Sequence, residues 1–170
     1  WVMVFTVGFW SVFKLFSSVF KPSKTASFVT SFRHMDPYST LTIENKHGET
    51  TKDGLQIGFT IEEMSDRLYA LLMSIGLKDD FSEIIYFVGH GSSSSNNPFY
   101  STMDCGACSC KPGSVNARVI SWIANHKKVR QNLAERGMVI PDSTHFIGGI
   151  HDTARDEIEF FDTKSLTVHQ

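Results

Sequence analysis

The chain has no cluster of lysines or arginines that suggests a phosphate-tracking stripe, and its formal net charge is only −2. Without a basic stripe there is no electrostatic footprint for phosphate tracking, so nucleic acid is set aside as a partner. Cysteine is scarce as well, with three in 170 residues, all within Cys105-x-x-Cys108-x-Cys110. An odd number packed into one short loop does not make a disulfide framework. That spacing fits a metal or redox site in a reducing compartment. Internal repeats are absent, and the only low-complexity tract is Ser92 to Ser95. What remains is ordinary globular composition, 41% hydrophobic and 20% charged, enough to bury one sizeable core.

The one long apolar run is Trp1 to Phe20. It is about long enough to span a bilayer, but Lys14 near its middle would cost roughly 2.5–3.5 kcal/mol on insertion scales. No basic start precedes it and no small-residue cleavage site follows, so it does not read as a signal peptide. Residues 1–32 are therefore expected to be an apolar helical segment, buried or packed on a partner. A membrane-surface helix and a true span are the alternatives. Beginning at Trp1 inside this run, the chain reads as an excised piece of a longer protein.

Residues 33–56 lose periodicity and carry turn signals at Asp36-Pro37, His47-Gly48 and Asp53-Gly54, which predicts a polar linker or excursion outside the core. Residues 57–170 read as an α/β unit. Thr60-x-x-Glu63 is a capping box with Phe59 and Met64 at the flanking staple positions. The helix it opens carries Ile61, Met64, Leu68, Leu71, Leu72 and Ile75 on one face and stops at Gly76. A strand over Glu83 to Val88 follows, giving the helix-then-strand order of α/β layers. Ser114 is expected to cap a helix bearing Val115, Val119, Ile120 and Ile123. Val129 to Arg136 forms another, ending at Gly137. Thr144 to Ile150 and Glu157 to Phe161 complete the set as strands, with Ile158 and Phe160 on one face.

The chemistry concentrates in Phe87-Val-Gly-His-Gly-Ser-Ser-Ser-Ser-Asn-Asn-Pro98 and Asp104-Cys-Gly-Ala-Cys108. His90 is expected at the carboxyl end of a buried strand, where open α/β sheets bind ligands. Imidazole and thiolate together suit zinc, which makes His90 and Cys105 the candidate metal ligands. Two are too few, since structural zinc takes four protein ligands and catalytic zinc usually three plus water. The loop's N–H groups and hydroxyls could hold a small anion, whether phosphate, bicarbonate or carboxylate, with Ser92 and Asn96 as candidates; a plain turn is the bland alternative. Asp104, Asp152 and Asp156 could support the histidine or the loop, or simply be solvated. His151, at another strand end, could line the same cleft.

Gly58-Phe-Thr-Ile-Glu-Glu-Met64, Gly89-His-Gly to Pro98, Asp104-Cys-Gly-Ala-Cys108, Val115-Asn-Ala-Arg118, Arg136-Gly-Met-Val-Ile-Pro141 and His151-Asp-Thr153 closely resemble the DabA family of inorganic-carbon-transporter subunits. The matches run in order from Gly58 to Asp162. The opening Gly8-Phe-Trp to Pro22 also looks like family sequence. The resemblance implies a Rossmann-like layered sheet with flanking helices and a β-carbonic-anhydrase-like core, incomplete here. It implies a peripheral protein on the cytoplasmic face of the bacterial inner membrane, bound to an ion-translocating membrane subunit of DabB type. Its work would be energy-coupled conversion of carbon dioxide to bicarbonate. In that family one zinc is held by a Cys-x-Asp-x-Arg motif plus a later His and Cys. The later pair falls on His90 and Cys105, and the earlier motif is absent from these 170 residues. Residues 57–170 would then be half of a zinc-site domain, expected by itself to bind zinc weakly and turn nothing over.

Two other readings compete. Cys105, Cys108 and Cys110 could form a non-catalytic metal or redox module, in which case all three would bind metal alike. The Val-Gly-His-Gly-Ser segment also resembles the histidine loop of class II cobalt and sirohydrochlorin chelatases, but only over Ile84 to Ser92, leaving the cysteine segment unexplained.

Overall fold

The structure is a computed structural model and describes residues 2–20, 35–36, 39–93 and 103–163. It is a mixed α/β arrangement with four α-helices and a three-stranded sheet among those residues.

Helix α1, Val2–Phe20, forms over the apolar run. Its large side chains are exposed, Phe13 at 59% and Met3 at 81% bracketing the range. The expected packing of this helix on the α/β core is therefore not found among the described residues. No helix is long and apolar enough to cross a membrane among those residues.

Helix α2, Ile61–Ser74, starts where the capping box places it. Thr60 Oγ1 accepts from the Glu63 N–H at 3.2 Å, and Glu63 accepts from the Thr60 N–H at 2.8 Å. That backbone N–H, and then the Gln56 amide, hold the Glu63 carboxyl below its ordinary pKa. The helix ends as Gly76 takes φ +78°, a conformation costly for a residue with a Cβ, while Leu77 N–H returns to the Leu72 carbonyl at 2.9 Å. Met64, Leu68 and Leu72 are fully buried on its inner face.

Strand β1, Ile84–Gly91, runs three residues beyond the expected end at Val88, so His90 lies inside the strand and not after it. Helices α3, Ser114–Asn125, and α4, Lys127–Glu135, then carry the chain back to β2, His145–Asp152, which pairs parallel to β1. Strand β3, Glu157–Phe160, turns back and pairs antiparallel to β2, giving the order β1-β2-β3. Ser114 is not the cap of α3. Gly113 occupies that position without a side-chain bond, and Ser114 is buried in the first turn.

The core lies between one sheet face and helices α2 to α4, with Phe146, Ile123, Val129 and Leu133 at its centre. Helix α3 rides directly on the sheet because Gly148 has no side chain: a Cβ there would sit 2.7 Å from the Arg118 Cα. The polar excursion also reaches this core, contrary to the expectation for residues 33–56. Ile43 is 7% exposed and belongs to the cluster, and its carbonyl accepts from Phe59 N–H at 2.8 Å. Arg118, only 2% exposed, fastens the same segment by bonding the Asp36 and Ser39 carbonyls while gripping Asp162 with two nitrogens. On the opposite sheet face Tyr86, Val88, Ile158 and Phe160 are exposed.

Candidate functional site at the carboxyl end of the parallel pair

His90 sits opposite His151 in the β1–β2 register, so the two share a face of the sheet. His90 Nε2 lies 2.9 Å from the Met103 carbonyl. A carbonyl only accepts, so Nε2 carries the hydrogen, and in the neutral tautomer the lone pair that a metal needs is on Nδ1. His151 Nε2 is 3.0 Å from Asp156 Oδ1, an exposed carboxylate.

Past Gly91 the loop is anchored by two buried carboxylates. Asp104 Oδ1 accepts from the Ser92 N–H at 2.8 Å. Asp152, with no exposed surface, accepts from the N–H groups of Ser93 at 2.9 Å and Ala154 at 3.1 Å, and also bonds the Ser93 hydroxyl. Charge-assisted bonds to backbone N–H groups are the strong kind, so these two aspartates fix where the chain leaves and re-enters the site. Asn96 lies outside the described residues.

The cysteines sit on a tight turn. Gly106–Cys108 forms a single 3-10 turn, and the N–H groups of Cys108 and Cys110 both reach the Cys105 carbonyl, at 3.0 and 3.1 Å. Ser109 and Cys110 close the turn with positive φ. The Cys108 thiol donates to Cys105 and, with the N–H groups of Cys108 and Ala107, pulls the Cys105 pKa below the ordinary thiol value against some burial and the Asp104 charge. Cys108 moves the other way, raised first by that same bond, although Asn116 Nδ2 donates to its sulfur at 3.3 Å. Of the pair, Cys105 is the thiol whose pKa is lowered, and Cys110 is exposed.

His90, Cys105 and Cys108 border one cavity of about 730 Å³, which Asn116 and Gly113 also line. Ser92, Asp104 and His151 do not border it. Among the described residues, no group of three or more His, Cys, Asp or Glu side chains is placed to hold a metal ion. The donor chemistry of His90 and Cys105, an imidazole and a thiol, nevertheless fits zinc as a partial set. Sequence reasoning did not assign Asn116 and Gly113 to the site; the only sign of Asn116 was its place in Val115-Asn-Ala-Arg118.

Comparison with known proteins bears on the whole chain. It is 55% identical over 167 residues to a probable inorganic carbon transporter subunit DabA of Azotobacter vinelandii, a match covering 98% of this chain and 20% of that protein. It is 49% identical over 170 residues to the corresponding Nitrosospira multiformis protein, again 98% of this chain and 19% of the relative. A Geobacillus thermodenitrificans protein of the same description is 41% identical over 131 residues, covering 77% of this chain and 15% of the relative. The chain thus spans about a fifth of the length of the Azotobacter and Nitrosospira relatives. No solved structure matches it. Because the family described as probable inorganic carbon transporter subunit DabA matches residues 1–170 without remainder, the chain belongs to the DabA family.

Proposed function

We propose that this segment supplies half of a zinc site at which a DabA protein converts carbon dioxide to bicarbonate. In that reading the sheet is the incomplete half of a Rossmann-like, β-carbonic-anhydrase-like core. His90 and Cys105 hold the metal together with donors from outside these residues. Zinc there supplies Lewis acidity, making hydroxide available near neutral pH. The observation that carries the reading is that His90 and Cys105 border one cavity, with neighbouring donors lowering the Cys105 pKa.

The chain's own residues position those donors. Met103 fixes the His90 tautomer, Asp104 and Asp152 pin the loop, and the Cys108 and Ala107 groups stabilise negative charge on the Cys105 sulfur. Ser92 and Asn96 are the loop candidates for substrate contact in the assembled site, and His151, outside this cavity, is a candidate on the next strand. The protein works at the cytoplasmic face of the inner membrane, bound to an ion-translocating subunit of DabB type. The names of its relatives support the transport role.

The test is made in a full-length DabA protein carrying this segment. His90→Ala and Cys105→Ala should each abolish bound zinc, read by metal analysis, together with growth at ambient carbon dioxide, while Cys110→Ala should be nearly silent. Equal zinc loss from Cys110→Ala would instead favour the cysteine-cluster module. Retained zinc in both His90 and Cys105 variants would end the reading.

A further inference from the structure

We infer that the free edge of β1 is a strand-addition site, filled by a β-strand from the remainder of the full-length DabA polypeptide. Among the described residues β1 is paired on one side only. The carbonyls of Glu83 and Gly91 accept from His145 and Thr153, at 2.7 and 2.9 Å, so the odd-numbered residues turn their backbone groups toward β2. Backbone groups alternate along a strand, which sends those of Tyr86, Val88 and His90 to the outer edge. The His90 carbonyl is taken there by the Gly113 N–H at 2.7 Å. Tyr86 and Val88 have no backbone partner on that side among the described residues. Such a row is a ready template for another strand.

A groove runs along this edge. It belongs to the cavity described above, whose lining includes the apolar Phe59, Leu71, Phe87, Val119, Ile120 and Ile123. Backbone pairing at the edge with alternate apolar side chains entering the groove is the usual mode of strand addition. A second copy of this chain fits poorly. Its own β1 could pair edge to edge, but its Ile85 and Phe87 already pack against its own core. Two grooves would then face each other with nothing to fill them. A strand not yet covered by helices is required, and the relatives carry about four-fifths of their length outside the matched segment. The inference stands on the edge and the groove and does not depend on zinc.

Amide hydrogen exchange read residue by residue tests it. The segment is placed in the full-length Azotobacter vinelandii relative and compared with the 170-residue chain, each sized by light scattering. In the full-length protein the Tyr86 and Val88 amides should exchange as slowly as those of Ile85 and Phe87. In the 170-residue chain they should exchange at least about a hundredfold faster than those neighbours. Fast exchange at Tyr86 and Val88 in the full-length monomer would overturn the inference. So would protection of both amides in the 170-residue chain that appears only as it dimerises, because a second copy would then be the occupant. If the 170-residue chain does not fold, the full-length result decides alone.

Discussion

The backbone carbonyl of His90 accepts from the N–H of Gly113 at 2.7 Å, joining the site histidine to the start of α3. That approach is possible only because Gly89 lacks a side chain. A Cβ at Gly89 would lie 2.4 Å from the Gly113 carbonyl carbon and oxygen, closer than real contacts allow.

Gly89→Ala should therefore push α3 off the strand, costing about 2–4 kcal/mol by overpacking and loss of the bond. Urea denaturation of the variant reads this. A change under half a kcal/mol would show that the two backbones part easily.

Asp152 bonds two backbone N–H groups and a hydroxyl from a fully buried position. Its removal by Asp152→Ala leaves those donors without their acceptor, and a loss of about 2–4 kcal/mol is expected from charged bonds of this kind. Asp152→Asn keeps one acceptor oxygen and should lose less. Equal losses from both would mean that the carboxylate charge, and not a remaining acceptor oxygen, matters at this site.

The thiol arrangement makes a kinetic prediction. Below the ordinary thiol pKa, Cys105 should be alkylated by iodoacetamide faster than Cys108 or Cys110, because its folded pKa is lowered. Cys108→Ala removes the thiol donor that lowers the Cys105 pKa most and should slow Cys105 alkylation at pH 7 by roughly threefold or more. Mass spectrometry of the modified peptides gives both rates. An unchanged rate would remove Cys108 as the donor.

His145 has its pKa lowered from 6.5, first by burial and then by the nearby Arg130. The unfolded chain therefore takes up this proton more readily than the fold does. Stability from this residue is present above about pH 6.5 and is lost as pH falls through that value toward the lower folded one. Melting points measured between pH 7.5 and 5 should fall less steeply for His145→Gln than for the parent. Parallel curves would show that His145 does not contribute.

The sequence by itself determined whatever depends on neighbours within a turn or two. Thr60 and Glu63 sit one helical turn apart, so their reciprocal bonds were legible as a motif, and Gly76 and Gly137 marked real helix ends for the same local reason. The strand before His90 was legible from its apolar run. The pairing of His90 with Cys105 was expected from metal chemistry and family resemblance, yet their common cavity is formed by α2, α3 and β1. Tertiary structure alone decided the burial of Ile43 within a polar stretch and the grip of Arg118 on Asp162, 44 residues away. It also decided the hold of Asp152 on Ser93, 59 residues away, and the antiparallel return of β3. The physical reason is one of range. Capping and periodicity are set by bonds a few residues long, whereas which apolar side chain is buried, and which carboxylate meets which donor, depends on how separate elements settle against a shared core.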